Sequence, residues 1–181
     1  MDTLGFLETT SIAAGVEIAD KMLKTSNVEL LFARASCPGK FYILITGDVS
    51  SVELSLRQGE ETGRGFVVST TLLPRIHPQV IKAISAGTMP ESPAAIGVLE
   101  YYSVTASLAA ADIAVKAANV ELVDIRLGTG IGGKSFVLLA GEISTVQNAV
   151  AAAMNAQNDV GLLVNSTVVA NPKRELLDHL A

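Results

Sequence analysis

The single cysteine of this 181-residue chain, Cys37, stands in the run Arg34-Ala35-Ser36-Cys37-Pro38-Gly39-Lys40, between the apolar stretches Leu30 to Phe32 and Phe41 to Ile45. Pro38 fixes its own φ and Gly39 can take φ > 0 at no steric cost, so the run predicts a tight turn with Cys37 at its apex. Pro38 offers no N–H. The amides of Gly39 and Lys40 can point toward a sulfur, and the Lys40 ammonium favours thiolate over thiol. These are properties of a metal ligand or a reactive thiol, set against the commoner case of an inert lone cysteine. One cysteine holds no cluster by itself, so a metal requires copies of the chain to meet at a symmetry axis. Bare thiolates about 4 Å apart would repel by roughly 4 kcal/mol per pair at an effective dielectric of about 20. Facing sulfurs would therefore stay protonated unless a cation lay among them.

Other chemistry-bearing residues point elsewhere. His77, followed by Pro78, has no partner at metal-ligand spacing and reads as an edge or capping residue. The glycines of Gly128-Thr129-Gly130-Ile131-Gly132-Gly133 do not make a phosphate loop, because Gly133-Lys134-Ser135 lies in a hairpin rather than before a helix. They read as a close-packed loop. No Ser/His/Asp set, carboxylate pair or HExxH pattern stands out, and no enzymatic activity is expected. Lys24 and Lys116 sit at predicted helix ends, where the macrodipole favours a cation.

The composition, 49% hydrophobic and 17% charged, supports a sizeable core and does not indicate disorder. A net charge of −5, with Lys and Arg scattered, argues against a nucleic-acid partner. One cysteine allows no internal disulfide and suits a reducing compartment. Without a basic N-terminal region or an apolar run of about 20 residues, neither secretion nor a membrane partner is expected, and a cytoplasmic location is.

The elements that must carry the turn come as a repeat. Leu4 to Arg34 set against Ile96 to Arg126, an offset of 92, gives 13 identities in 31 positions. The offset grows to 94 after the Cys37 turn and to 96 by Gly65, paired with Gly161. The two-residue insertion thus falls in the cysteine turn itself. This predicts two tandem domains, 1–90 and 91–181, joined through residues 87–93. Each half reads as a strand (Leu4–Thr9), a helix capped by Ser11 with the stripe Ile12, Val16, Ala19 and Leu23, a hairpin (Glu29–Ser36, Phe41–Thr46), a helix opening on the capping box Ser50-Ser51-Val52-Glu53, a strand (Gly65–Leu73) and a short helix (Pro78–Ala86). The predicted class is α+β: two ferredoxin-like β-α-β-β-α-β units, antiparallel sheets with helices on one face.

The stretches Leu4-Gly5-Phe6-Leu7-Glu8-Thr9, Ala19 to Leu30, Gly47-Asp48-Val49 and Leu73 to Pro78 resemble the shell proteins of bacterial microcompartments. So do their second-half counterparts around Ile96–Glu100, Ala111–Leu122 and Gly141-Glu142-Ile143. The resemblance covers nearly the whole chain, and the unpermuted tandem order implies a homotrimer that forms a flat pseudohexamer and tiles with other shell proteins. The Cys-Pro-Gly-Lys turn is similar to that of T-type shell proteins of propanediol-utilisation compartments. That similarity implies one 4Fe-4S cluster per trimer, held by Cys37 of three chains at a central pore, for electron transfer or cluster exchange with encapsulated redox enzymes. It also implies a pore loop of Ser36, Pro38, Gly39 and Lys40 with Gly130, Ile131 and Gly132, and tile-edge contacts at Lys24, Lys116 and Arg75. The second half carries Ala170-Asn171-Pro172-Lys173 where the first has Pro74-Arg75-Ile76-His77. A cluster-free pore conducting small metabolites is the alternative reading.

Overall fold

The computed structural model describes residues 3–85, 87–128, 130–157 and 162–180. Ala86, Thr129 and Gly161, which figure in the expected helix, loop and repeat pairing, lie outside them. The chain divides into two compact units, Met1–Ile76 and His77–Ala181.

In the first unit the order is β1 (Thr3–Thr9), α1 (Ile12–Thr25), β2 (Glu29–Ser36), β3 (Lys40–Gly47), α2 (Val49–Thr62) and β4 (Val67–Leu73). The sheet runs β2-β3-β1-β4 with every neighbouring pair antiparallel. Leu7, Ile43 and Ile45 pack against Ile18, Ala19 and Met22 of α1 and against Val52 and Leu56 of α2. Two helical details differ from the sequence pattern. Ser11 does cap α1, accepting the Ala14 N–H, but of the expected stripe Ile12, Val16, Ala19 and Leu23 only Ala19 is buried, and the face that packs is Gly15, Ile18, Ala19 and Met22. The reason is Gly15: a Cβ there would meet the Phe41 ring at 2.4 Å, so the bare backbone is what lets this face of the helix dock. For α2 the cap is Asp48, not Ser50. One carboxylate oxygen accepts the Ser51 N–H at 2.9 Å, and the two oxygens also accept both serine hydroxyls.

The second unit repeats the plan as β5 (Ala95–Tyr101), α4 (Val104–Ala117), β6 (Glu121–Leu127), β7 (Ser135–Gly141), α5 (Ile143–Gln157) and β8 (Leu163–Ala170), with sheet order β6-β7-β5-β8. It also holds a helix from each side of the repeat, α3 (Pro78–Ser85) and α6 (Arg174–Leu177). α3 packs against β6. The His77 N–H donates to Asp112 Oδ1 at 2.7 Å, the Leu122 N–H donates to Gln79 Oε1 at 2.9 Å, and Gln79 Nε2 donates to the Val120 carbonyl at 3.4 Å. The helix that ends the first repeat thus belongs to the second compact unit: the division at 90/91 follows the repeat, the division at 76/77 follows packing. α6 lies opposite α4 and α5, where Leu177 and Leu180 join Ile96, Val123, Leu138 and Ala140. The turns leading to α3 and α6 match despite their different sequences, since Arg75 (φ 56°) and Asn171 (φ 49°) are both left-handed.

Candidate functional site

Ser36 and Lys40 pair at the end of the β2–β3 ladder, leaving Cys37, Pro38 and Gly39 as the tip. Pro38 follows a cis peptide bond and Gly39 has φ 72°, the left-handed value that its lack of a Cβ permits. A Cβ on Gly39 would meet nothing within 4 Å, so the tip stands in open space. The Cys37 thiol is half-exposed and in no disulfide. The turn expected from sequence is there, but the expected charge is not aimed as anticipated. Lys40 pairs with Glu8 of β1, and that hydrogen bond raises the lysine's pKa. Its ammonium is neutralised by a carboxylate that also accepts the Ser69 hydroxyl at 3.3 Å. Beneath the tip Ser36 is buried, and the Tyr42 ring meets Phe6 edge-on at 5.3 Å. Burial pushes the Tyr42 hydroxyl up, with the nearby Ser36 hydroxyl acting in the opposite sense.

In the second unit the matching loop carries Gly128, Gly130, Gly132 and Gly133, all at positive φ. Gly130 and Gly132 have nothing within 4 Å of an added Cβ. The loop is therefore open rather than close-packed, and its glycines serve backbone conformation. The Gly128 N–H donates to the Lys134 carbonyl at 3.0 Å and the Lys134 N–H to that of Ile131 at 3.3 Å, closing the loop. Lys134 pairs with Glu100, which raises its pKa as Glu8 does for Lys40. The Glu8 and Glu100 partners were overlooked in the sequence. The signal was present, because acid and lysine recur together at matching positions of both halves.

Lys24 and Lys116 occupy the last turns of α1 and α4. Each pairs with the aspartate four residues earlier, Asp20 at 2.7 Å and Asp112 at 2.5 Å. Arg75 lies in the left-handed turn after β4. His77 does act as a cap: its Nδ1 accepts the Gln79 N–H at 3.3 Å at the start of α3. Among the described residues of one chain, no three His, Cys, Asp or Glu side chains gather as metal ligands. Any metal at Cys37 must take its remaining ligands from elsewhere. No helix among the described residues is long and apolar enough to cross a membrane.

Known proteins share this architecture over its whole length. The BMC domain matches twice, at residues 3–76 and 95–172. The microcompartment shell protein PduT of Citrobacter freundii is 42% identical over 173 residues, covering 96% of this chain and 94% of its own. The carboxysome assembly protein CcmO of Synechococcus is 32% identical over 190 residues, covering 98% of this chain and 68% of its own. A crystal structure of a microcompartment protein from Desulfitobacterium hafniense superposes with a TM-score of 0.94 at 43% identity, covering 97% of this chain and 98% of that one. With two BMC domains in tandem and relatives of this kind along its full length, the chain belongs to the BMC-domain family and is a shell protein of a bacterial microcompartment.

Proposed function

We propose that three copies of this chain close into a disc of six similar wedges, that discs tile into a shell facet, and that Cys37 of the three chains holds one 4Fe-4S cluster at the central opening. The role is structural and redox rather than catalytic. The observation that carries the reading is the placing of the lone cysteine at the half-exposed tip of β2–β3, while the equivalent loop of the second repeat, residues 128–133, carries no cysteine. One thiol per chain, on alternate wedges, gives three sulfurs per disc. That donor set fits a cubane short of its usual fourth cysteine, the remaining iron being left to solvent or a small ligand. The open surroundings of Gly39 leave room for tips to converge. When bound, the cluster supplies one-electron chemistry. The chain's own part is to present the sulfur, keep Lys40 neutralised by Glu8, and fix the turn through Gly39.

Protein purified without oxygen is expected to show a broad absorbance at about 400 nm that disappears in Cys37→Ser. Colourless, iron-free protein after anaerobic reconstitution would overturn the cluster and leave a pore for small metabolites as the better reading.

A further inference from the structure

The hairpin that ends in Cys37 and its counterpart in the second repeat differ in how they treat one charge. An arginine stands at the same place in both, Arg34 on β2 and Arg126 on β6, and two residues before it, on the same face of the strand, the first repeat has Phe32 and the second Asp124. Arg126 pairs with Asp124. Arg34 lies instead over the Phe32 ring, its guanidinium carbon 4.3 Å from the ring centroid, and no carboxylate among the described residues pairs with it. A ring face holds a guanidinium in place without cancelling its charge.

The other cation of this hairpin is cancelled. Arg34 pairs with Tyr42 and Ser36 with Lys40 across β2–β3, and Tyr42 pairs with Glu8 across β3–β1, so Arg34, Lys40 and Glu8 share one face of the sheet. On that face the Lys40 ammonium is bound to the Glu8 carboxylate. Arg34, which is exposed, is left as the one uncompensated cation of β2–β3. It stands three residues before Cys37, about 10 Å of strand. That is about one Debye length in 0.1 M salt, so its charge is felt at the tip in dilute buffer and screened in concentrated salt.

We infer that Arg34 sets the reduction potential of the cluster at Cys37. This rests on the cluster reading above and names what regulates it. Three thiolates leave a cubane with a net negative charge, and one electron taken from a low-potential one-electron donor makes that charge more negative by one, with no bond made or broken in the protein. A fixed cation nearby therefore stabilises the reduced form more than the oxidised form and raises the potential, which depends on net charge. Around a ring of three chains, bare arginines from the first repeat alternate with paired ones from the second. Only the bare ones act on the cluster, and the Phe32/Asp124 difference is what makes them bare.

Dithionite titration of the anaerobically reconstituted full chain, followed by the bleaching of its absorbance at about 400 nm, tests this. In about 0.01 M salt, Arg34→Gln is expected to be less reduced than wild type by roughly fivefold or more at a fixed potential, the summed effect of three charges about 10 Å away. In about 1 M salt the difference should vanish. Arg34→Lys keeps the charge and should titrate with the wild type. Phe32→Asp, which copies the second repeat and retains the arginine, should fall as Arg34→Gln does, whereas the double variant Asp124→Asn with Arg126→Gln should stay at the wild-type potential. A cluster-bearing Arg34→Gln protein with the wild-type potential would overturn the inference and leave the cluster standing. So would a shift that persists in concentrated salt or is not rescued by lysine, which would mark a change of loop structure, and so would an Arg34→Gln protein that holds no iron where the wild type does. Iron-free wild type would overturn the cluster and this inference together.

Discussion

At the scale of single residues, Asp48 makes the sharpest case for reading a cap by geometry. Two serine hydroxyls and the Ser51 N–H converge on its carboxylate and lower its pKa from 3.8 to about 2. A depressed folded-state pKa means that the cap's contribution is complete above the ordinary carboxylate value and is lost as pH falls through the folded one. The thermal midpoint of the wild type should therefore fall more steeply than that of Asp48→Asn between about pH 4 and about pH 2. Equal slopes in acid unfolding followed by circular dichroism would remove Asp48 from the account. Sequence pattern placed this cap at Ser50 because Ser-x-x-Glu is the commoner signature. An aspartate one residue before the helix, with two serines to bind, was the stronger acceptor. The cysteine turn was legible for a simpler reason: Pro38 fixes its own φ and Gly39 is free to take φ > 0 whatever surrounds them. The pairing of Lys40 with Glu8 was not, since it depends on β1 lying beside β3, which strand order decides.

At the scale of elements, every strand and both long helices of each half were legible, because alternation and the caps Ser11 and Ser103 are local signals. The buried face of α1 was not, and Gly15 shows why: a residue with no side chain scores as neither apolar nor polar, yet it sets the closest approach to the sheet. The second half fills the same space differently. Thr9, Phe41 and Gly15 correspond to Tyr101, Ser135 and Ser107, so the bulk moves from β3 to the strand beside it. Tyr101 keeps its hydroxyl buried, which pushes its pKa up to about 12. In Gly15→Ala, helix propensity would gain about 1 kcal/mol, but the methyl meets a buried Phe41 ring, and such overpacking costs about 1–3 kcal/mol. The clash wins where the ring cannot move, so a net loss of up to about 2 kcal/mol in urea unfolding is expected. A stabilised Gly15→Ala protein would show that the Phe41 ring yields.

At the scale of the whole molecule, the proposed disc would give the lysines at the helix ends a part in tiling rather than in ring closure. Lys24 and Lys116 occupy equivalent sites of the two repeats, so a disc of three chains would present six of them around its rim. There each aliphatic stem can lie on a neighbouring disc while the ammonium meets backbone carbonyls. Each lysine is already paired with an aspartate of its own helix, so an exposed contact of this kind gives at most about 1 kcal/mol. A sheet multiplies such contacts, and multivalent assembly is lost when each is weakened a little. Replacing both lysines by Asp sets like charges four residues apart on each helix, at a cost of about 0.2–0.5 kcal/mol per pair. That is too little to unfold either unit, and the paired variant with Gln avoids it altogether. Both variants should sediment as the wild type does while failing to form extended sheets by electron microscopy. Sheets of normal extent from the Gln variant would take the tile edge away from Lys24 and Lys116.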